Sequence, residues 1–304
     1  MAYILKRIGQ GVFVVFAIAI FVFVLVRLTG DPAAIMLGQD ATPEDLAQIK
    51  ERLGLDRPLG EQLGVYLLNA LQGDFGQSIR HGESAMGLVL QRLPATLELA
   101  LMAIVVVAIV GVPLGLIAGL KRDSATDFTA STVSLIAQSV PNFWLGIMLI
   151  LVFSVNLDLL PASGRGGIEN LILPSITLAS FTLAAIARLQ RSTALDVLRQ
   201  DYIRTARAKG LSEGMVLRRH VLKNSSIPVV TVLGLQIPVL FGGAIVTETV
   251  FSYPGMGLLA IDAISARDFP IIQAFVVLVA VLVVVTNILI DVLYRYLDPR
   301  IRYE

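Results

Sequence analysis

The 304-residue sequence predicts an all-α polytopic membrane protein with six spanning helices, and three observations carry that expectation. Hydrophobic residues make up 56% of the chain and charged residues 15%, with a mean hydropathy of +0.78, whereas an ordinary soluble domain is about 25% charged. Six apolar stretches meet the length that a hydrocarbon core demands, about 20 residues of helix. They lie near residues 9–29, 95–120, 129–156, 172–190, 228–250 and 272–293. Lysine and arginine gather on alternate connections, which is how membrane chains encode their orientation.

The first stretch follows Lys6 and Arg7 and runs from Gly9 to Thr29. It is longer than the apolar core of a secretory signal and ends in "RLTGDP" without a small-residue cleavage pattern, so it reads as an uncleaved span. The loop 30–93 is too long for a plain connector and carries helix signals of its own. In "TPEDLAQIKERLG", Thr42 is the expected N-cap, Pro43 the first helical residue, Glu44 and Asp45 the acidic first turn and Gly54 the stop. Leu46, Ile49 and Leu53 share one face. A second pattern of Leu59, Leu63, Tyr66, Leu67, Ala70 and Leu71 ends at Gly73. Both read as amphipathic helices lying on the outer surface, against the membrane or under a partner.

The second stretch holds Gly111, Gly115 and Gly119, two overlapping G-x-x-x-G frames with Pro113 between them. Small residues four apart let helix backbones approach closely in lipid. Pro141 in "QSVPNFWLG" and Pro238 in "GLQIPVLFGG" fall inside the third and fifth stretches. Each removes a backbone hydrogen bond, an interruption tolerated beside a neighbouring helix or a wet cavity. With Gln138, Asn142 and Gln236 nearby, these prolines mark candidates for lining a translocation path, a purely structural kink being the alternative. The fourth stretch, "LPSITLASFTLAAIARLQ", is apolar but mixed with hydroxyls.

With the amino terminus inside, the inner segments carry sixteen Lys and Arg and the outer loops seven, leaving Arg27 at the outer end of the first span. The bias places both termini in the cytoplasm. Arg27, Glu98, Glu248 and Asp291 are the charges nearest the bilayer interior, and snorkelling or capping accounts for them. No internal repeat and no soluble second domain is visible.

Several chemistries are excluded. Cysteine is absent, which removes disulfides, thiolate chemistry and thiolate-bound metals. A formal net charge of +1 gives no reason to expect nucleic acid. The sequence has no G-x-x-x-x-G-K-[ST] loop, so ATP is not bound here by that device. The only histidines, His81 and His220, fall on opposite sides in this topology and form no shared metal site.

The inner segment 191–227 is the most informative. "DYIRTARAKG", residues 201–210, sets three basic side chains in an otherwise apolar chain. Thr193, three residues before Asp196, resembles a capping start, Gly210 a stop, Ser212 a second start, and Ser226 with Pro228 a restart of the fifth span. Two short helices joined at a glycine corner are expected. Arg204, Arg207 and Ala208 lie on adjacent turns, with Ala206 and Gly210 leaving room for a close-packed neighbour. Topology needs the charge but not the helix-corner-helix, whereas a docking surface for a cytoplasmic partner explains both.

The residues 196–212, "DVL…DYIRTARAKGLS", followed by "HVLKNSSIPVVTVLGLQ" (220–236), resemble the permease subunits of bacterial ABC importers of the dipeptide, oligopeptide and nickel class. The likeness extends to "GDPA" (30–33), "LGLDRPL" (53–59), "GDFGQS" (73–78), "RLPATLEL" (92–99), "TETVFSYPGMG" (247–257) and "DPRIR" (298–302). The resemblance implies a type I importer permease in the bacterial inner membrane, with a coupling helix from Asp201 through Tyr202, Arg204, Thr205, Ala206, Arg207, Ala208 and Lys209 to Gly210. It implies a second homologous permease, two ATP-binding subunits that hold ATP and magnesium, and a periplasmic substrate-binding protein. No catalysis and no cofactor are implied for this chain. The general importer motif begins Glu-Ala-Ala six residues before its glycine, where this sequence has Arg204, Thr205 and Ala206; its later Leu-Pro appears as Leu222-Lys223, with proline delayed to Pro228. Peptides are the implied cargo, with nickel chelates or glutathione as alternatives. An ion-coupled secondary transporter or a non-transporting scaffold are readings of other classes.

Overall fold

A computed structural model describes residues 2–29, 42–52 and 54–297. Apart from one isolated bridge between Gln77 and Ser84, regular structure among the described residues is helical. In chain order the helices are α1 (Ala2–Thr29), α2 (Pro43–Arg52), α3 (Leu59–Leu71), α4 (Ala85–Leu120), α5 (Ala125–Ser139), α6 (Asn142–Asn156), α7 (Glu169–Leu198), α8 (Asp201–Ala208), α9 (Glu213–Val250), α10 (Met256–Ser265) and α11 (Phe269–Leu297). Five of them, α1, α4, α7, α9 and α11, are long and apolar enough to cross a membrane; the bent pair α5 and α6, when counted as one span, brings the number to six. The blocks at 30–33 and 298–302, and Leu53, lie outside the described residues.

The chain forms two compact units, one of the segment up to Ala95 with Gly255–Ile288, the other of Thr96–Pro254 with the end of α11. The first is organised by a buried cluster of Ala85, Val89, Met256, Ile271 and Ala274, with Phe75 against it. Helix α2 starts where its cap signals place it. The Asp45 N–H donates to Thr42 Oγ1 at 3.3 Å, and the Thr42 N–H donates back to Asp45 Oδ2 at 3.2 Å. The Thr42 hydroxyl also donates to Asp45 Oδ2 at 2.7 Å, and this bond first, then that of the Thr42 N–H, holds the Asp45 carboxyl below its usual range. Helix α3 turns Tyr66, Leu67 and Ala70 onto the cluster while Leu68 and Leu71 stay 62% and 74% exposed. Before α11, the buried Asp268 accepts from Ser78 Oγ at 2.5 Å and from the Arg80 N–H at 3.2 Å, tying the loop ahead of α4 to the start of α11.

The second unit is built around α7, which packs on α4, α5, α6 and α9. The glycine ladder of α4 explains how closely. A Cβ on Gly111 would stand 3.2 Å from the Leu183 carbonyl oxygen, one on Gly119 3.1 Å from that of Arg191, and one on Gly115 only 2.2 Å from that of Ala187. Only hydrogen fits at Gly115. Next to this ladder the chain rises into a π-helical stretch, Val107–Gly111, just ahead of Pro113, whose missing N–H disturbs regular α bonding. Asp127 in the first turn of α5 receives a two-pronged guanidinium bond from Arg191 of α7, at 2.5 and 2.7 Å. Between α7 and α9, the fully buried Gln190 donates to Ser225 Oγ at 2.8 Å, and Thr193 Oγ1 donates to the Ser225 carbonyl at 3.0 Å.

Several expectations are corrected. The helix expected at 95–120 begins at Ala85, because Ser84 accepts from the Gly87 and Leu88 N–H groups and Ala85 and Val89 are buried. The third stretch, 129–156, is two helices bent by 107° at Val140 and Pro141. Proline cannot donate and forces the residue before it into extended backbone, and Val140 sits at φ −85°, ψ 126°. Thr193 starts no helix: it lies inside α7, bonding back to the Leu189 carbonyl at 3.1 Å, and burial of Gln190 and Ala194 carries the helix on to Leu198. Ser226 and Pro228 restart nothing, since one helix runs from Glu213 to Val250. Val221, Ser225 and Val229, buried at four-residue spacing on both sides of Pro228, form one continuous packed stripe. Tertiary packing overrides the local proline signal.

Candidate coupling surface and translocation path

Helix α8 is set off from α7 by Gln200 in extended conformation and is closed by Gly210 at φ +79°. The Leu211 N–H donates to the Ala206 carbonyl at 3.3 Å and the Gly210 N–H to the Arg207 carbonyl at 2.9 Å, a Schellman ending that needs the left-handed residue at Gly210. The helix is amphipathic over only eight residues. Ile203 and Ala206 enter a cluster with Leu116, Ala194, Val216 and Val221, while Asp201, Tyr202, Arg204, Thr205, Arg207, Ala208, Lys209 and Gly210 are exposed. Thus α8 is held by its apolar face to α4, α7 and α9 and presents a basic one outward.

Two tethers stiffen it. The Arg207 guanidinium grips the Glu213 carboxylate at 2.8 and 3.2 Å across the glycine corner, and Asn224 Nδ2 donates to the Tyr202 hydroxyl at 3.2 Å. An exposed ion pair contributes at most about 1 kcal/mol, so the fork orients Arg207 more than it stabilises the fold. Arg204 and Asp201 pair loosely at 3.5 Å. Of the expected surface residues all but Ala206 face out; Ala206 is 6% exposed and packs inward, so its small size serves this chain's own core. Sequence reasoning did not single out Glu213 or Asn224, although a serine start at 212 followed by an acid is a visible signal.

The proposed path residues are more scattered. Pro141 forms the corner between α5 and α6, and Gln138 on one side of it accepts from Arg188. On the other side Asn142 Oδ1 accepts from Ser180 Oγ at 3.2 Å. Both therefore meet α7. Gln236 and Pro238 lie half-buried in α9, which continues through Pro238 unbroken.

At the opposite end of α9, a polar cluster went unanticipated. Glu248 does not snorkel; it is fully buried and accepts from Thr96 Oγ1 at 2.6 Å. Close in sequence, Glu98 takes a 2.7 Å ion pair from Arg165 and a 3.1 Å bond from the buried Tyr253 hydroxyl. Burial first, then the Glu98 carboxylate, push the Tyr253 phenol up to about 12, and Glu98 likewise raises Arg165. A raised pKa means that this contribution is complete below the ordinary value of 10.0 and is lost as pH climbs through about 12. Tyr253→Phe is expected to cost about 1.5 kcal/mol, the low end for a hydrogen bond to a charged group because Glu98 is partly solvated. It should lower the thermal midpoint of the solubilised protein equally at pH 7 and pH 9. Thr96 and Glu248 lie 152 residues apart, Glu98 and Tyr253 155, and Glu98 and Arg165 67, beyond reach of any local pattern.

Comparison with solved structures identifies the fold. A chain of the methionine ABC transporter MetNI, in an inward-facing conformation, superposes with TM-score 0.57 at 18% identity, covering 70% of this chain and 97% of that one. A chain of an amino acid ABC transporter crystallised with histidines gives TM-score 0.52 at 18% identity, covering 69% and 94%. The fold is that of a type I ABC importer permease. The family follows from sequence: the model for the binding-protein-dependent transport system inner membrane component matches residues 111–303, the model of the N-terminal part matches 1–100, and the chain belongs to this family. It is 42% identical to the di/tripeptide transport system permease protein DppB of Pseudomonas aeruginosa, over 100% of this chain and 99% of that one. It is 39% identical to the dipeptide transport system permease protein DppB of Escherichia coli, over the same shares.

Proposed function

We propose that the chain is a membrane subunit of an ATP-driven importer of di- and oligopeptides, forming half of the translocation path in the bacterial inner membrane with both termini cytoplasmic. The observation that carries the reading is α8. A short basic helix, locked to the body by Ile203 and Ala206 and closed by Gly210, is shaped to transmit force from a partner rather than to perform chemistry. In this reading Asp201 to Gly210 seat in a cleft of an ATP-binding subunit, which holds ATP and magnesium and does the hydrolysis. A second homologous permease completes the path, and a periplasmic binding protein delivers substrate. The likeness to permeases named for peptides supports the cargo over nickel chelates or glutathione, and family membership disfavours an ion-coupled transporter or a scaffold. Closure of the ATPase pair moves α8 as a handle, shifting the population between outward and inward openings.

Proteoliposomes containing the permease pair, the ATPases and the binding protein test the proposal directly. Dipeptide uptake that needs ATP is the expected result; uptake by the permease without ATPases would overturn it. In the same assay, Asn142→Trp or Gln236→Trp should cut uptake while the ATPases still copurify, because these positions are assigned to the path and not to docking.

A further inference from the structure

Helix α3, "LGEQLGVYLLNAL", carries a single charge, Glu61 in its first turn, and neither lysine nor arginine. None of its residues is buried, although the helix is clamped along one side. The Tyr66 ring stands between Phe23 of α1, 5.2 Å away, and Phe75, 6.2 Å away and edge-on. Leu67 and Ala70 pack on the buried cluster of the first unit. Gln62 Nε2 donates to the Leu55 and Arg57 carbonyls at 3.1 and 2.7 Å, tying the first turn to the preceding loop. These contacts fix the rotation of α3 about its own axis, and with it the face turned away from the body. That face is Gly60, Gly64, Leu68 and Leu71 with Val65 at its edge, all exposed. A Cβ added at Gly60 or Gly64 would meet nothing within 4 Å among the described residues.

An apolar helix of about 10–14 residues belongs either to a protein core or to a membrane interface. With no buried residue, α3 is not a core helix. The level at which it is clamped points to the interface. Phe23 lies within the last two turns of α1, where the apolar run gives way to Arg27. The Arg27 guanidinium stands 5.2 Å over the Phe23 ring. Aromatic rings and a cation at the end of a span mark the boundary between hydrocarbon and headgroups, and Tyr66 holds α3 there. At the same level α1 exposes Phe21, Leu25 and Leu28, as a span does towards lipid. A protein-docking face is enriched in aromatic residues and arginine. The outward face of α3 has neither; its branched aliphatic side chains suit acyl chains.

We propose that α3 is a membrane-interface helix, with Leu68 and Leu71 inserted among the lipid acyl chains beside the end of α1. In the orientation proposed above, this is the outer leaflet. The helix thereby pins the segment between α1 and α4 to the bilayer, whatever cargo the importer carries.

The sequence has no cysteine, so Leu68→Cys accepts one nitroxide spin label. Gly64→Cys is the companion site, because its Cβ crowds nothing. Each variant is assembled with cysteine-free versions of the second permease and the ATPases in nanodiscs of phosphatidylethanolamine and phosphatidylglycerol, and gel filtration verifies the complex. Collision with oxygen, which partitions into lipid, is then compared with collision with a water-soluble nickel chelate. Both labels should favour oxygen and report a depth of about 5–10 Å below the headgroups. Preference for the nickel chelate would place the face in water and overturn the proposal. Exclusion of both reagents would overturn it in favour of a covering protein. If that exclusion is present in the assembled complex, the cover is another subunit; if it develops only when the binding protein is added, the face is a docking surface.

Discussion

Arg207→Glu combined with Lys209→Glu should abolish ATP-dependent uptake and strip the ATPases during copurification, while the permease itself still inserts and expresses. Both side chains are exposed on α8, and the contacts that fold this helix lie on its other face. Truncating one partner of a buried interfacial charge pair costs about 2–5 kcal/mol, and reversal adds repulsion, so association should fall by orders of magnitude. Arg207 also grips Glu213, and reversal breaks that fork. Glu213→Gln separates the two effects, since it releases the tether and leaves the basic surface in place. A modest drop in uptake is expected there. Full uptake by the double reversal would remove α8 from the coupling role.

Gly115→Leu is expected to prevent accumulation of folded protein altogether. Even the Cβ of alanine at this position would lie 2.2 Å from the Ala187 carbonyl oxygen and 2.8 Å from Gln190 Cβ. The oxygen belongs to a helical backbone and cannot swing aside as a side-chain tip can. Overpacking a well-packed core by a methylene typically costs about 1–3 kcal/mol, and Gly115→Ala should sit at or above the top of that range. Gly9→Ala on α1 is the control: nothing lies within 4 Å of its added Cβ, so only the better helix propensity of alanine is felt, about 1 kcal/mol in its favour. Yield of folded protein reports on Gly115→Leu, and thermal unfolding of the solubilised protein ranks Gly115→Ala below and Gly9→Ala at or above the unsubstituted chain. Normal yield and an unchanged midpoint for Gly115→Leu would mean that α4 and α7 are not in backbone contact there.

Much of the candidate coupling surface was legible because it depends on short-range chemistry. A glycine stop at 210, cations on one face, and apolar Ile203 on the other are all properties of neighbouring residues. What escaped was the far boundary of each helix around it. Thr193 has the spacing of a cap yet sits mid-helix, its hydroxyl bonded both to the Leu189 carbonyl one turn back and to that of Ser225, 32 residues away. Ala206 was read as a contact for a neighbour and proves to be core, because Val216 and Val221 return over it after the glycine corner. The path candidates show the same limit. Pro141 identified a break but not its 107° turn, and Asn142 and Gln138 acquire their orientation from Ser180 and Arg188 on a different helix.

The sequence by itself determined that the chain lives in a membrane, which stretches are apolar enough to span it, and that Gly210 closes a basic helix. Each of these follows from transfer free energies and backbone preferences that act residue by residue. Only the tertiary structure decided that the α4 glycines face α7, that Glu248 is buried on Thr96, and that Phe23 and Phe75 hold Tyr66 of α3 between them. Those outcomes depend on which distant surfaces pack together, and a packed neighbour can satisfy or crowd a group in ways its own flanking residues do not encode.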